Sequence, residues 1–361
     1  MINKKFFESA KELAEERGIT VEDVYEIIKD GLKKSFKREY GNESCEIVVD
    51  PVKTEILCYS VKKVVEELSD AETLALEENP IKEITLEEAK QIKKNAKVGD
   101  IIKQVVDIKE FSRTSIGATK NMTVQGVRQK QRAQAFDHFK DMEGEMVTAT
   151  VANVNDKYVI LDLGYGATST LSNRELLPTD NFSIGDTLRV YIKKVEESTK
   201  DPKITVSRID KELVKRLMEN YIPEIKDGTI EIKGIARDPG DRTKIALYSN
   251  DSNVDAIGSC VGEAGSRIKQ IVDALNGEKV DLYKWSENPE ELITNSLQPA
   301  SVTKVISIDE KTKSSVVAVP DDHLSLAIGK QGQNVRLAVQ SCGWKIDILP
   351  VSKAYEEGKL I

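Results

Sequence analysis

Apolar side chains recur at helical spacing over residues 6–14, and Gly18 can end the helix that this pattern predicts. Thr20 with Asp23 resembles a capping box, which favours the start of a second helix with an apolar face over residues 24–32. The spacing then changes from helical to alternating at 47–49. The chain therefore opens with two helices and continues into extended structure.

Extended segments and a further helix complete the N-terminal part of the chain, 1–110. Segments 47–49 and 56–61 predict a β pair, Thr85 with Glu88 predicts a capped helix, and 101–108 predicts a strand. We expect an α/β unit. It carries 19 basic and 25 acidic residues, so it does not favour a phosphate ligand. Its net acidic charge has two alternative interpretations: a surface that binds a protein partner, or an ordinary solvated acidic surface.

The next segment has the opposite charge. Residues 111–141 carry six basic and two acidic side chains. Residues 119–140 predict one long polar helix, which we interpret as a connector between domains. Its basic face is either an RNA contact or an ordinary solvated helix surface.

From residue 145 the pattern is that of short β-strands separated by turn residues. The predicted strands are 146–151, 158–163, 167–171, 187–195 and 203–207. Five strands in about 65 residues predict an OB-type barrel, a frequent platform for single-stranded nucleic acid. Alternation along the second strand turns Tyr158 outward, either for base stacking or as an ordinary exposed tyrosine. Many five-stranded barrels bind no nucleic acid.

An internal repeat follows the barrel. Gly262-Glu263-Ala264-Gly265 recurs as Gly329-Lys330-Gln331-Gly332, and each copy is followed by an apolar helix, a turn and a strand. Glycine lets the backbone turn sharply close to a ligand, and a helix N-terminus attracts phosphate. A single G-x-x-G motif is equally consistent with an ordinary bend between two helices. Two copies with matching flanks instead predict two tandem KH domains, which clamp single-stranded RNA.

The two copies differ in charge. The second has Lys330 in the loop and Arg336 beyond it, whereas the first has Glu263 in the loop. Arg267 and Lys269 offset that charge only in part. We therefore expect the second copy to bind an RNA backbone more tightly than the first.

Overall composition limits the chemistry. The formal net charge is −8, so a nucleic-acid site must be local. The four cysteines are scattered without a C-x-x-C pair, and only two histidines are present. Cys45 and Cys58 either meet on paired strands or are simply small buried residues. No metal-ligand cluster, phosphate-binding loop or nucleophile–base pair is recognisable, so we predict no enzyme, no cofactor and no metal.

Targeting signals are not recognisable either. No apolar run approaches the ~18 residues of a membrane-spanning helix. Lys4 and Lys5 are not followed by the apolar core of a signal peptide. We therefore expect a cytoplasmic protein without a membrane partner.

Several stretches resemble one known family, the NusA family of bacterial transcription elongation, termination and antitermination factors. The stretches that carry the resemblance are 159–164, 221–225, 231–233, 236–240, 242–246, 259–262, 319–322, 324–330 and 333–338. The resemblance is close over 143–350 and looser over 1–140. Ala256, Ala264 and Ser172 depart from the family pattern.

The resemblance implies a multidomain α+β chain. It implies an N-terminal domain with the connector helix (1–141), which docks on core RNA polymerase. An S1-type OB barrel (142–208) and two type II KH domains (209–285 and 286–361) would share one RNA-binding surface. The two G-x-x-G loops carry over as RNA-binding residues, together with Arg208 at the end of the last barrel strand. Implied partners are core RNA polymerase, nascent single-stranded RNA and other Nus-type factors.

Three functions fit domains of these kinds. The first is a non-enzymatic transcription factor that bridges polymerase and nascent RNA, which we favour. The second is a phosphorolytic exoribonuclease, for which the segment before the barrel leaves little room. The third is an RNA chaperone or ribosome-associated RNA-binding protein without polymerase contact, against which only the family resemblance argues.

Overall fold

The computed structural model describes residues 4–70, 81–108 and 111–360 of the 361-residue chain. The chain divides into two compact units, Met1–Asp137 and His138–Ile361. Over the described residues, no helix combines the length and the apolar character that a membrane crossing requires.

The first unit is an α/β domain with a four-stranded sheet. Its elements are α1 (Lys4–Arg17), α2 (Val21–Tyr40), β1 (Cys45–Asp50), β2 (Glu55–Val65), β3 (Lys82–Thr85), α3 (Leu86–Ile92), β4 (Ile101–Val106) and most of α4 (Arg113–Asp141). The long strand β2 pairs with all three others, in parallel only with β3. The predicted β pair and the three predicted helices are therefore confirmed, and the strand predicted for 101–108 ends at Val106.

Local capping explains where these helices begin. The Thr20 hydroxyl oxygen accepts a hydrogen bond from the Asp23 amide at 3.1 Å, and that of Thr85 accepts one from the Glu88 amide at 3.4 Å. Cys58 is buried and Cys45 is half-buried, both as free thiols on the paired strands β1 and β2. They pack into the apolar core between the helices and the sheet.

The connector helix α4 begins at Arg113, before its predicted start at residue 119. The Ser112 hydroxyl oxygen accepts a hydrogen bond from the Ser115 amide at 3.3 Å, as an N-cap does. The Glu39 carboxylate on α2 accepts hydrogen bonds from the hydroxyls of Ser112 at 3.0 Å and Ser115 at 2.9 Å. This anchor is distant in sequence, so the local pattern did not indicate it.

The second unit begins with the predicted five-stranded barrel. Its strands are β5 (Met146–Val154), β6 (Tyr158–Gly164), β7 (Ala167–Ser172), β8 (Thr187–Glu196) and β9 (Lys203–Ser207), in the order β7-β6-β5-β8-β9. The outer strands β7 and β9 meet where the Ser169 hydroxyl donates to the Ile204 carbonyl at 2.6 Å. Alternate residues of each strand fill the interior.

Two copies of one α/β arrangement follow. The first consists of α5 (Lys211–Tyr221), α6 (Pro223–Lys226), β10 (Ile230–Asp238), β11 (Arg242–Ser249), α7 (Ala256–Val261), α8 (Ser266–Ala274) and β12 (Lys279–Lys284). The second consists of α9 (Pro289–Ser296), β13 (Lys304–Asp309), β14 (Ser314–Val319), α10 (Leu324–Ile328), α11 (Gln333–Cys342), β15 (Lys345–Pro350) and α12 (Val351–Glu356). In each sheet the middle strand pairs antiparallel with the first strand and parallel with the third. The predicted tandem type II KH fold is confirmed.

The two KH domains pack directly on each other. Ala246 and Tyr283 on the first sheet belong to the same apolar cluster as Ala338 on α11 of the second domain. The Tyr283 hydroxyl donates to the Ser341 hydroxyl at 2.9 Å. A Cβ atom at Gly234 would overlap the Ser341 carbonyl oxygen, so only glycine lets these two backbones touch.

Candidate nucleic-acid interface

The two G-x-x-G loops have the same backbone conformation. Their first glycines have φ/ψ of 76°/175° at Gly262 and 76°/171° at Gly329. Their third residues, Ala264 and Gln331, and their fourth glycines also have positive φ. The internal repeat is therefore a repeat of loop geometry as well as of sequence.

The first glycine of each loop is required by its own domain. Its backbone conformation lies in a region that is essentially restricted to glycine. A Cβ at Gly262 would lie 2.8 Å from Arg267 Cγ, and one at Gly329 would lie 2.6 Å from the Asn334 amide nitrogen. The helix after the loop therefore packs against this glycine.

The fourth glycine faces open space instead. No atom lies within 4 Å of where a Cβ would stand at Gly265 or Gly332. Both residues are the N-caps of the following helices α8 and α11, and no side chain caps either helix. Each helix N-terminus is thus accessible to a ligand backbone, and its exposed amides and dipole favour an anion there.

Because the first glycine of the loop is closely packed and the fourth faces open space, alanine substitutions at these two positions should lower the free energy of unfolding by different amounts. Gly329→Ala should lower the free energy of unfolding by about 2–4 kcal/mol, since it adds both backbone strain and a clash with the Asn334 amide. Gly332→Ala should cost only about 1 kcal/mol, the penalty for a left-handed non-glycine residue. Denaturant unfolding of both variants tests this, and equal costs would contradict the distinction between the two positions.

The first loop has mixed charge. Glu263 is exposed. Arg267 Nη1 donates to both carboxylate oxygens of Glu224, at 3.0 and 2.9 Å, and to the Ser259 carbonyl at 2.7 Å. Backbone hydrogen bonding, and after it the Arg267 guanidinium, lower the pKa of the Glu224 carboxyl. Arg267 thus anchors α8 to α6 through Glu224 and to α7 through Ser259, and the Glu224 carboxylate offsets its charge beside the loop.

The second loop is more basic at its tip. Lys330 and Gln331 are both exposed. The position that corresponds to Arg267 is Asn334, whose side-chain amide donates to the Leu297 and Ala327 carbonyls at 3.0 Å. The neutral anchor leaves Lys330 as the charged side chain of this loop. Arg336, one turn further on, donates to Asp238 of the first KH domain at 2.6 Å.

An apolar groove, which the sequence pattern did not indicate, runs beside the first loop. A cavity of about 700 Å³ lies between the helices α7 and α8 and the edge strand β12. Its apolar walls include Ile257, Val261, Ile268, Val280 and Leu282. Residues 298–302, which join α9 to β13 in the second KH domain, also line it. The apolar residues Ile257, Val261 and Ile268, which flank the loop in the sequence, were the available signal. Such a groove suits the faces of unstacked bases.

Lys244 also lines this groove, although its side chain is only 1% exposed. Its Nζ donates to the Gln298 carbonyl at 2.6 Å and lies 3.9 Å from the Asp281 carboxylate. Burial lowers the pKa of the Lys244 ammonium to about 8, because the nearby Asp281 offsets desolvation only in part.

The lowered pKa predicts a pH dependence of stability. Between about pH 8 and 10.5 the unfolded chain holds a proton on Lys244 that the folded chain has lost. The contribution of Lys244 to the free energy of unfolding should therefore rise with pH across this window, by roughly 1–3 kcal/mol. Denaturant titrations should show this rise in the native chain and a smaller one in Lys244→Met. Parallel pH profiles would contradict it.

The barrel places Tyr158 as predicted, at the start of β6 and 38% exposed. Its role in base stacking stays a prediction. The more exposed Tyr165 stacks on His138, with ring centroids 4.0 Å apart. Among the described residues, no group of three or more His, Cys, Asp or Glu side chains is placed to hold a metal ion.

The predicted RNA contact of Arg208 is wrong. Its side chain is 1% exposed, and that of its partner Asp180 is fully buried. Nε and Nη2 donate to the two Asp180 oxygens at 3.0 and 2.7 Å, and Nη1 donates to the Ala274 carbonyl at 3.2 Å. Arg208 therefore joins the barrel to the first KH domain instead of facing solvent.

Four family models match the chain in order. They are described as the NusA N-terminal domain (residues 5–133), the S1 RNA binding domain (140–207), the NusA-like first KH domain (208–285) and the NusA-like second KH domain (289–356). A solution structure of the N-terminal domain of NUSA from B. subtilis is 26% identical over 36% of this chain and 97% of that chain. Its TM-score of 0.27 is too low to bear on the fold.

Curated relatives match nearly the whole chain. The transcription termination/antitermination protein NusA of Halalkalibacterium halodurans is 39% identical over 99% of this chain and 91% of its own length. The proteins of that name from Bacillus subtilis and Thermus thermophilus are 39% and 38% identical over 96% of this chain, and it covers 91% and 89% of their lengths. Together with the barrel and the two KH domains described above, these matches show that the chain belongs to the NusA family.

Proposed function

We propose that this protein is a transcription factor that binds core RNA polymerase and nascent single-stranded RNA, and thereby modulates pausing, termination and antitermination. The observation that carries the RNA-binding part is the pair of G-x-x-G loops with open helix N-termini. The names of the full-length relatives support the role in transcription.

RNA would contact three domains of the second unit. We assign the contacts to the two loops, to Arg267 and Arg336 beyond them, and to Tyr158 on the barrel. The open space at Gly265 and Gly332 supports the loop contacts. The exposure of Tyr158 supports a stacking contact. Because the barrel and both KH domains belong to one compact unit, one RNA strand can engage all three.

Polymerase binding is assigned to residues 1–141, and RNA binding to the domains 142–208, 209–285 and 286–361. The net acidic charge of the segment 1–110 supports a protein partner there. Two individually modest sites on one chain reinforce each other through effective concentration. By holding RNA as it leaves the polymerase, the protein would favour or oppose formation of the pause hairpin, and would thereby change the lifetime of a hairpin-dependent pause.

We further propose that the protein is not an enzyme, acts in the cytoplasm and meets other Nus-type factors. The scarcity of histidine and the curated relatives support a role in binding. RNA decay by the purified protein in phosphate with magnesium would contradict the first of these proposals.

Pause lifetimes test the central proposal. On a hairpin-pause template with the matching core polymerase, the protein should lengthen the pause. The full-length Gly265→Asp/Gly332→Asp variant should still bind polymerase but lengthen the pause less. A protein lacking residues 1–141 should have lost most of the effect. An unchanged pause despite intact RNA binding would favour a ribosome-associated protein or an RNA chaperone.

A further inference from the structure

Two carboxylates of the first KH domain lie against the helix that follows the second G-x-x-G loop. Asp238 Oδ2 accepts hydrogen bonds from Arg336 Nη2 at 2.6 Å and from Gln333 Nε2 at 3.0 Å. Asp241 Oδ2 accepts one from the same Gln333 amide at 2.7 Å. Gln333 is the first residue of α11 and Arg336 lies one turn along it. Both carboxylates thus lie beside the proposed phosphate site.

The first loop lacks such a pair. At the positions that correspond to Gln333 and Arg336 it has Ser266 and Lys269, and both are exposed. Within the described part of the chain, no carboxylate oxygen lies within 4.0 Å of Lys269 Nζ, whereas Arg336 has its ion pair with Asp238. The acidic pair is therefore specific to the second loop and does not belong to the repeat itself.

Carboxylates at this place act on phosphate binding in two ways. A carboxylate and a phosphate oxygen make the same kind of charge-assisted hydrogen bond to a guanidinium, so Asp238 occupies the donor that a phosphate would use. Negative charge also stabilises a helix N-terminus. Asp238 and Asp241 therefore partly neutralise the positive end of the α11 dipole and weaken its attraction for a phosphate. Arg336 is 48% exposed, so a phosphate can reach it from solvent.

We propose that Asp238 and Asp241 limit the RNA affinity of the second KH domain by competing with RNA phosphates for Arg336 and for the N-terminus of α11. This inference rests on the proposed binding of RNA at that loop. Residues at the turn between β10 and β11 of the first KH domain thereby lower the RNA affinity of the second KH domain. Asp238 and Asp241 are positioning residues, since they act through Arg336 and Gln333.

Asparagine substitutions isolate the charge. Asn retains an oxygen that accepts from Gln333 and Arg336, so Asp238→Asn/Asp241→Asn should keep the contact between the domains. We expect this variant to bind a labelled single-stranded RNA about 3- to 10-fold more tightly at low salt. The slope of log affinity against log salt should steepen by up to about 0.7, the value for one additional phosphate contact.

Asp309→Asn is the matched control. Asp309 stands in the corresponding turn of the second KH domain, where its carboxylate accepts hydrogen bonds from Lys311 and Thr312 of the same turn. Its removal should leave the salt slope unchanged. In an Arg336→Gln background the gain from Asp238→Asn should disappear, which a purely structural role of Asp238 would not predict.

The outcomes separate the inference from the proposed function. Unchanged or weaker RNA binding by the double variant and by Asp241→Asn alone, with an unchanged slope, would overturn the inference. In that case, loss of binding by Gly332→Asp would still support the RNA site. Unimpaired binding by Gly332→Asp would show instead that the site itself was misassigned.

Discussion

Replacing Gly332 by Asp should weaken single-stranded RNA binding more than replacing Gly265 by Asp. Both positions have left-handed backbone, which Asp tolerates better than most residues, and both have open space around the missing Cβ. A new charge ~6 Å from a phosphate contributes roughly 0.7–3 kcal/mol at an effective dielectric constant of ~20–80. At Gly332 we therefore expect RNA affinity to fall about 3- to 100-fold.

The ranking follows from the neighbouring side chain. At Gly332 the new carboxylate also neutralises the exposed Lys330, so an existing attraction is lost. At Gly265 it joins Glu263, in a loop whose attraction for phosphate is already reduced. Titration of a labelled RNA at two salt concentrations measures both affinities, and the difference should shrink at high salt.

Two controls separate charge from backbone effects. Gly332→Asn makes the same change in shape without the charge and should lose little affinity. Gly343→Asp places the charge at the other end of α11, at a glycine with the same left-handed φ and the same open surroundings. A larger loss of affinity with Gly265→Asp than with Gly332→Asp would show that the first loop carries more of the binding.

Replacing Arg208 by Met should strongly destabilise the second unit. The substitution leaves the Asp180 carboxylate fully buried without its cation, and it removes the donors to the Arg189 and Ala274 carbonyls. Breaking a buried ion pair at one partner costs about 3–5 kcal/mol. For a unit of this size, this corresponds to a decrease of roughly 10 °C in the unfolding temperature, which calorimetry measures.

RNA binding distinguishes this role from the one that the sequence suggested. Below its unfolding temperature, Arg208→Met should keep the salt slope of the native protein, because a buried guanidinium neutralises no phosphate. Arg174→Met, at an exposed arginine of the same barrel, should leave the unfolding temperature within about 2 °C. A stable Arg208→Met protein with a shallower salt slope would restore Arg208 as an RNA contact.

What the sequence predicted correctly is mostly local. The caps at Thr20 and Thr85 involve residues three positions apart, and the alternating strands of the barrel have their own period. Duplication made the two loops recognisable, because a repeated spacing is informative even where a single loop is not. These features depend on near neighbours in the chain.

What the sequence did not reveal depends on distant residues. A basic residue at the end of a strand looks the same whether it faces RNA or a buried carboxylate, and Asp180 lies 28 residues before Arg208. The contact between Asp238 and Arg336 joins residues 98 positions apart. The apolar groove beside the first loop likewise requires two helices, one strand edge and the following segment to come together.

The contact between Gly234 and Ser341 has a consequence for how an RNA would span the two proposed binding loops. Because backbone meets backbone there, no side chain can rearrange to let one KH domain slide over the other. The two G-x-x-G loops are thus held at a fixed distance from each other. An RNA with too few nucleotides between its two bound segments would have to stretch, and one with too many would have to bulge. If both loops bind one RNA, as proposed, its affinity should therefore depend on the number of nucleotides between the two bound segments.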